Sequence, residues 1–310
     1  HSRQRTPSLL ISGPLMIQGI QGNPTVYLNG EWLPLSEAKV SVLDRGFVFG
    51  DGIYEVVPSY SRKPFRLESH LRRLQRSLAA VRIKSPFDHD QWANLFQDVI
   101  SRNQGEDQFV YVQVTRGVAK RDHLFPTPEV TPTVFAMSTA FSRPGPELRE
   151  KGLSVVSLPD ERWLHCDIKS VALLGNVLAR QAAADRGADE AVMFRDGFLT
   201  EGAACNIWII KDGVLCAPLK NHLVLEGVRY GLMEEVAEKL GIPVQIRRIR
   251  HAEVTHADEM LITSATKEVL PVVRMDQRPV GHPSHAGQPG PVYRRIRQAY
   301  DEAIDAVRLG

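Results

Sequence analysis

A chain of 310 residues is long for one domain and short for three, which points to two. Its 38 Lys plus Arg against 36 Asp plus Glu leave a formal net charge of +2. That near balance excludes the basic excess of a dedicated nucleic-acid binder and the acidic bias of a disordered tail. Apolar residues make up 43%, so a large core can form without disulfide or metal staples.

Three cysteines, Cys166, Cys205 and Cys216, are too few for a disulfide framework, and no two have the Cys-x-x-Cys spacing of a zinc site. No metal site is expected, and a reducing, cytoplasmic compartment is the default. No apolar run approaches the roughly 18–20 residues that span a bilayer, so no membrane partner is expected. The run from Leu9 to Ile20 is broken by Gly13, Pro14, Gln18 and Gly19, and the chain begins at His1 rather than Met. Residues 1–24 read as a flexible extension or a tag remnant rather than a signal peptide.

In chain order, Val26 to Leu33 is a hairpin turning at Asn29-Gly30. Ile53 to Val57 reads as a strand. From Leu67 the period changes: Leu71, Leu74, Leu78 and Val81 recur at helical steps between arginines. Trp92, Leu95, Phe96 and Val99 mark a second helix. Phe109–Thr115 and Thr131–Thr139 read as neighbouring strands. Ser142-Arg143-Pro144-Gly145-Pro146 breaks regular structure and is taken as the linker, 142–149, between a smaller domain, 25–141, and a larger one, 150–310. Beyond it, strands are expected at Leu153–Leu158, Ala191–Phe194, Asn206–Ile210, Val214–Ala217, Met260–Thr263 and Leu270–Val273. Helices are expected at Val171–Ala184, at Val228–Leu240 before Gly241 and Pro243, and at Tyr293–Val307. The fold class is α+β, with hairpins in both halves and few strand–helix–strand units.

Several chemistries fail for want of motif. There is no G-x-x-x-x-G-K-[ST], G-x-G-x-x-G, H-E-x-x-H or G-x-S-x-G. S-x-x-K occurs at Ser36–Lys39 and Ser264–Lys267 without the companion serine-hydrolase motifs, as chance allows. Two segments remain. Cys166-Asp167-Ile168-Lys169-Ser170 precedes an apolar helix. Alone, Lys169 is most simply a solvated lysine, and otherwise a lysine held for Schiff-base chemistry. Phe198-Leu199-Thr200-Glu201-Gly202, followed by Ala203-Ala204-Cys205-Asn206, puts a carboxylate beside small residues where a flat ligand can approach. Its plain alternative is a turn carboxylate.

Together with Asp44-Arg45-Gly46, Phe49-Gly50-Asp51-Gly52-Ile53-Tyr54-Glu55, Leu225-Glu226-Gly227-Val228 and Thr263-Ser264-Ala265-Thr266, these segments resemble the fold-type IV pyridoxal-phosphate enzymes. Within that group the pattern is most similar to the D-amino-acid transaminases, from about Thr25 to about Ala303. The resemblance implies a two-domain α+β fold with pyridoxal 5'-phosphate in the cleft between domains. It implies that Lys169 holds the cofactor as a Schiff base and moves the substrate proton, and that Glu201 pairs with the pyridine nitrogen. Arg73, the backbone N–H groups of Val228 and Arg229, Ala265 and Thr266 are implied around the phosphate.

Arg121 and His123, with Tyr54, match the pair and tyrosine that hold a substrate carboxylate in the D-amino-acid transaminases; Arg116 is the competitor. The implied reaction moves an amino group from a D-amino acid to a 2-oxo acid, 2-oxoglutarate or pyruvate, by a ping-pong route through pyridoxamine phosphate. The implied assembly is a homodimer. Aminodeoxychorismate lyase and branched-chain or (R)-amine transaminases share Lys169 and Glu201 and are the alternatives. The sequence departs from the family pattern at Ala203, Ala204 and Cys205, where serines are common, and at Ala265 and Arg229, where threonines are common. Altered cofactor contacts are expected there, with Arg229 adding charge.

Overall fold

The computed structural model describes residues 17–310, so the expected extension 1–24 lies mostly outside the described residues. The first half is a six-stranded sheet with two helices packed on it. Its elements are β1 (Thr25–Leu28), β2 (Glu31–Pro34), α1 (Arg45–Phe49), β3 (Gly52–Tyr60), β4 (Lys63–Pro64), α2 (Leu67–Ala80), α3 (His89–Ser101), β5 (Gln108–Thr115) and β6 (Thr133–Ala140). The strand order is β2-β1-β6-β5-β3-β4, antiparallel throughout.

The expected periodicities hold. Strand β5 alternates its burial, as a sheet with one covered face requires. Helix α2 buries Leu71, Leu74 and Leu78 against Val57, Trp92, Phe96 and Val110. Each such leucine contributes about 1.5–3 kcal/mol of burial. Helix α3 starts on a capping box between Asp88 and Gln91.

Three differences from the sequence reading have local causes. Helix α1 was not expected. It is a single turn made possible by its ends: the Asp44 carboxylate accepts from Gly46 N, and Gly50 stops it in the left-handed region at φ +65°. The linker also contains a helix, α4 (Pro146–Lys151), because Pro146 sits at a helical first turn where its missing N–H costs nothing. The third helix of the reading starts three residues late, as α5 (Leu174–Asp185), because Ser170 and Val171 are held extended against β3.

The second half continues with β7 (Leu153–Pro159), α5, β8 (Glu190–Arg195), β9 (Phe198–Gly202), β10 (Asn206–Lys211), β11 (Val214–Ala217), α6 (Val228–Leu240), β12 (Val244–Ile246), α7 (His251–Thr255), β13 (Glu259–Ser264), β14 (Glu268–Met275), β15 (Arg278–Pro279) and α8 (Pro291–Leu309). Its nine-stranded sheet runs β12-β11-β10-β13-β14-β7-β8-β9, with β15 on β14. Strands β7 and β8 are parallel around α5, and β11 and β12 around α6, so strand–helix–strand units are few. One core lies between this sheet and α6 and α8, around Trp208, Tyr230, Met233, Ile296 and Tyr300. A second covers the other face, around Ile207, Met260 and Ile262.

Several contacts stitch the halves, and two of them are backbone pairing and a buried carboxylate. At one, the start of β3 pairs with the stretch before α5: Tyr54 N donates to Lys169 O at 2.9 Å and Val171 N to Gly52 O at 3.0 Å. At the other, Glu268 of β14 is fully buried, accepting from Tyr60 of β3 and from Arg143 of the connecting segment. Among the described residues, no helix is long and apolar enough to cross a membrane.

Candidate active site

A cavity of about 540 Å³ lies where the stitched stretch, α5, β9 and the start of α6 converge. Tyr54, Arg73, Lys169, Glu201, Val228, Arg229, Ala265 and Thr266 all line it. Arg121 and His123 do not: both are exposed, on the loop between β5 and β6.

Lys169 is placed by backbone. Its peptide is tied to β3 through Tyr54 N, and its Nζ lies 4.2 Å from the centre of the Tyr54 ring. Strand alternation sends Tyr54 and Val56 to the cavity, while Glu55 points to α2. There Glu55 takes Arg73 bidentately, Nε at 2.6 Å and Nη2 at 2.8 Å, and lies 2.9 Å from His70 Nδ1. Burial alone would raise the Glu55 carboxyl, but the Arg73 guanidinium holds it well below the usual carboxylate range. Burial pushes His70 down to about 4, so it is neutral and donates to Glu55. Arg73 Nη1 reaches on to Glu226 O at 3.2 Å, beside the start of α6.

At the other end, Glu201 sits on β9 rather than in a turn. Arg162 Nη1 lies 2.5 Å from its Oε1, and Asn206 and Leu225 N donate to Oε2 at 3.2 Å. Burial still dominates and pushes the carboxyl up to about 7. Arg162 is itself held by Asp160, which also takes Arg195 and the Thr200 hydroxyl. Gly227 is required beside it, since a Cβ there would run into Asn206 Oδ1.

The sequence departures have visible consequences. In the Ala203–Cys205 turn, Ala203 N donates to the buried Glu190, which pairs with Lys267 at 3.0 Å. Arg229 lines the cavity and, among the described residues, its guanidinium has no carboxylate partner. Its nitrogens are enclosed without hydrogen bonds, against Phe65 at 4.8 Å and Tyr300 at 5.9 Å. Arg116, the rival for a substrate carboxylate, is spent on both oxygens of Asp51.

Sequence reasoning missed Arg162, Asp160 and His70. Glu55 was visible within its motif, but nothing in the order of residues says that Arg73 would fold onto it. Arg162 had only the weak signal of an Asp-x-Arg at a strand end.

A pyridoxal phosphate needs an amine, a carboxylate for its ring nitrogen and donors for its phosphate. The cavity offers Lys169, Glu201, Arg73 and the start of α6, whose Gly227 N-cap has no side-chain cap and leaves leading N–H groups to bind an anion. The donor set fits the group. Among the described residues, no cluster of His, Cys, Asp and Glu could hold a metal ion.

Comparison with known proteins gives the family. The family model described as amino-transferase class IV matches residues 52–275. The chain is 38% identical over 281 residues to the D-alanine aminotransferase of Staphylococcus aureus strain MSSA476, covering 91% of this chain and 98% of that one. It is 35% identical over 279 residues to the D-alanine aminotransferase of Bacillus licheniformis, covering 90% and 96%. Among solved structures, it superposes on the T.th. branched-chain amino acid aminotransferase with pyridoxamine 5'-phosphate at TM-score 0.83 and 28% identity, covering 91% and 94%. The branched-chain enzyme of Escherichia coli gives TM-score 0.84 at 25% identity, covering 91% and 94%.

Proposed function

The chain belongs to the class IV aminotransferases, and on that premise we propose that it moves the amino group of a D-amino acid to a 2-oxo acid, 2-oxoglutarate or pyruvate, with pyridoxal 5'-phosphate. The observation that carries the reading is Lys169, tied by its backbone to β3 and lining one cavity with Tyr54, Arg73 and Glu201. The cofactor, when bound, supplies an electron sink for the electrons left as the substrate Cα proton departs. The residues supply the rest. Lys169 Nζ, 4.2 Å from the centre of the Tyr54 ring, would take that proton from Cα and deliver it to C4′ of the cofactor. Glu201 would accept a hydrogen bond from the ring nitrogen, with Arg162 on Oε1 and Asn206 and Leu225 N on Oε2 orienting it. Arg73, locked by Glu55, and the start of α6 would receive the phosphate. Each half of the chain, 25–141 and 150–310, is read as a domain, with the cavity between them.

The reading assigns the substrate carboxylate to Tyr54, Arg121 and His123, although the last two stand away from their own cavity. Their loop is flanked by exposed Phe47 and Leu124, and the cavity mouth by exposed Leu174, Val177 and Leu178 on one face of α5. Large apolar side chains at such spacing are what a protein interface covers. A homodimer that buries both patches would set the Arg121–His123 loop of one protomer over the cavity of its partner. A cytoplasmic setting is in keeping with three buried free cysteines.

The test is the visible spectrum of the loaded protein with D-alanine or L-alanine alone and no oxo acid. Bleaching by D-alanine only is expected. Bleaching by L-amino acids only would refute the D-series reading in favour of the branched-chain one. A stable band with neither would favour the lyase or amine-transaminase reading.

A further inference from the structure

The stretch between β5 and β6, residues 116–132, carries Arg121 and His123 and contains no helix or strand. Among the described residues, no backbone N–H from 120 to 132 donates to a backbone carbonyl. Its own ties are few, Leu124 N donating to Asp122 Oδ1 at 3.1 Å and the Phe125 ring centre lying 3.7 Å from Arg116 Cζ, and loose loops are poor places for precise binding groups.

Beside the packing of Phe125 against Arg82 and Arg116, the support around residues 122–124 comes from α1. Three consecutive loop carbonyls converge on one buried guanidinium. Arg45 Nη1 donates to Asp122 O at 2.5 Å and to Leu124 O at 3.2 Å, and Nη2 lies 3.5 Å from His123 O. Arg45 is only 4% exposed, so its charge must be met by these acceptors and by Asp51, whose Oδ2 accepts from Nε at 2.8 Å. Asp51 is fixed in turn by Arg116, whose Nη1 and Nη2 also donate to Arg82 O and Val81 O at the end of α2. The chain of contacts therefore runs from the packed α2 through Arg116, Asp51 and Arg45 to the loop backbone.

The side chains have a second support from α1. The Phe49 ring lies 4.9 Å from Arg45 Cζ, 5.2 Å from Arg121 Cζ and 5.3 Å from the His123 ring centre. Arg45 thus holds the backbone of residues 122–124, and Phe49 lies against the side chains of Arg121 and His123. A lysine could not replace this arginine. One ammonium with three donors cannot reach three carbonyls and a carboxylate at once, whereas the planar fork of arginine can.

We propose that Arg45 is a positioning residue for substrate binding: with Phe49 it fixes the Arg121–His123 loop in the geometry that receives the substrate carboxylate. The inference rests on the proposed role of Arg121 and His123. It gives Asp44-Arg45-Gly46 and Phe49-Gly50-Asp51 a purpose beyond local folding.

The experiment compares the loaded wild type with R45K, F49L and R121M. It measures KM and kcat for D-alanine, the visible cofactor spectrum, and hydrogen exchange of the peptide covering residues 119–127. R45K is expected to raise KM about tenfold, less than the roughly hundredfold that an ångström-level misplacement can cost, while kcat stays within about twofold. Its cofactor spectrum should be unchanged and exchange in 119–127 faster. F49L, which keeps the guanidinium and a large apolar side chain, should move KM the same way by less. Exchange in 119–127 that is unchanged in R45K overturns the proposal, even where R121M raises KM. So does faster exchange in R45K with an unchanged KM while R121M raises it. An R121M enzyme with wild-type KM for D-alanine would instead overturn the carboxylate reading itself, and the positioning role with it.

Discussion

Replacing Arg162 by methionine tests the electrostatics at the ring-nitrogen end of the cavity. Arg162 and Glu201 have side chains 6% and 7% exposed, so solvent screens their attraction little. Two unit charges about 4 Å apart attract by about 4 kcal/mol at an effective dielectric of about 20. At about 1.4 kcal/mol per pH unit, losing the cation carries Glu201 up by about 3 pH units. The wild-type carboxyl already stands at about 7 because of burial. The variant carboxyl should therefore titrate well above the wild-type one, held only by Asn206 and Leu225 N and repelled by Asp160.

At pH 8 the wild-type group is mostly ionised and the variant group mostly neutral. A neutral carboxyl can no longer favour a protonated ring nitrogen. The rate with D-alanine should fall by about a hundredfold, the order found when one electrostatic partner of a reacting centre is removed. The direct assay is the infrared difference between R162M and R162M/E201Q in the cofactor-free protein at pH 8. A protonated-carboxyl band is expected. Its absence, with the variant folded, would show that Arg162 does not set the state of Glu201.

Other outcomes follow from the same charges and cores. E55Q leaves Arg73 buried without its partner and should cost about 3–5 kcal/mol in urea unfolding at pH 7.5. The Glu55 carboxyl is held low in the fold, so its stabilisation is present above the unfolded value and lost as pH falls; a variant with an undiminished acid limb would contradict this. Glu201 has the opposite sign. Its carboxyl is raised, so its favourable contribution is present below the usual value for a glutamate and is lost as pH rises through about 7. The melting temperature of cofactor-free E201Q relative to wild type should accordingly be higher at pH 8 than at pH 5. L74A, in the core under α2, should cost about 2–5 kcal/mol, and a loss below about 1 would mean that the site collapses without strain. L178E should shift the sedimenting species towards monomer and lower D-alanine turnover together; an unchanged species would remove α5 from the interface.

The fold was legible where one period ran long. The leucine steps of α2 and the alternation of β5 each express a single buried face, and a buried face is what a local pattern encodes. Helices α1 and α4 were not legible, because each is a turn or two set by its ends rather than by periodicity. The site divided in the same way. Lys169, Glu201, Tyr54 and Arg73 came through family motifs, and the structure brings all four to one cavity. Arg162 did not, because its meaning depends on a carboxylate 39 positions away on another strand. For Arg229 the place at the start of α6 is readable and the residue does line the cavity, but its aromatic neighbours Phe65 and Tyr300 are set far apart by the sequence and were not legible.

The two ends of the cavity differ in how their charge is prepared. At the phosphate end, Glu55 already neutralises Arg73 and fixes its fork, the Arg229 guanidinium stands without a carboxylate partner among the described residues, and the helix start adds N–H groups that carry no counter-ion; none of these groups titrates between pH 6 and 9. At the ring end, Glu201 is poised near neutrality, and a group that arrives with a proton can tip it to the ionised state. Loading of the cofactor should therefore be nearly independent of pH through the Arg73 end and dependent on it through the Glu201 end. Binding isotherms of the apoprotein for inorganic phosphate alone and for pyridoxal phosphate, measured from pH 6 to 9, separate the two. Corrected for the ionisation of phosphate itself, the first should stay flat. The second should bend near pH 7 in the wild type and lose that bend in E201Q. A bend that survives in E201Q would place the titrating group elsewhere.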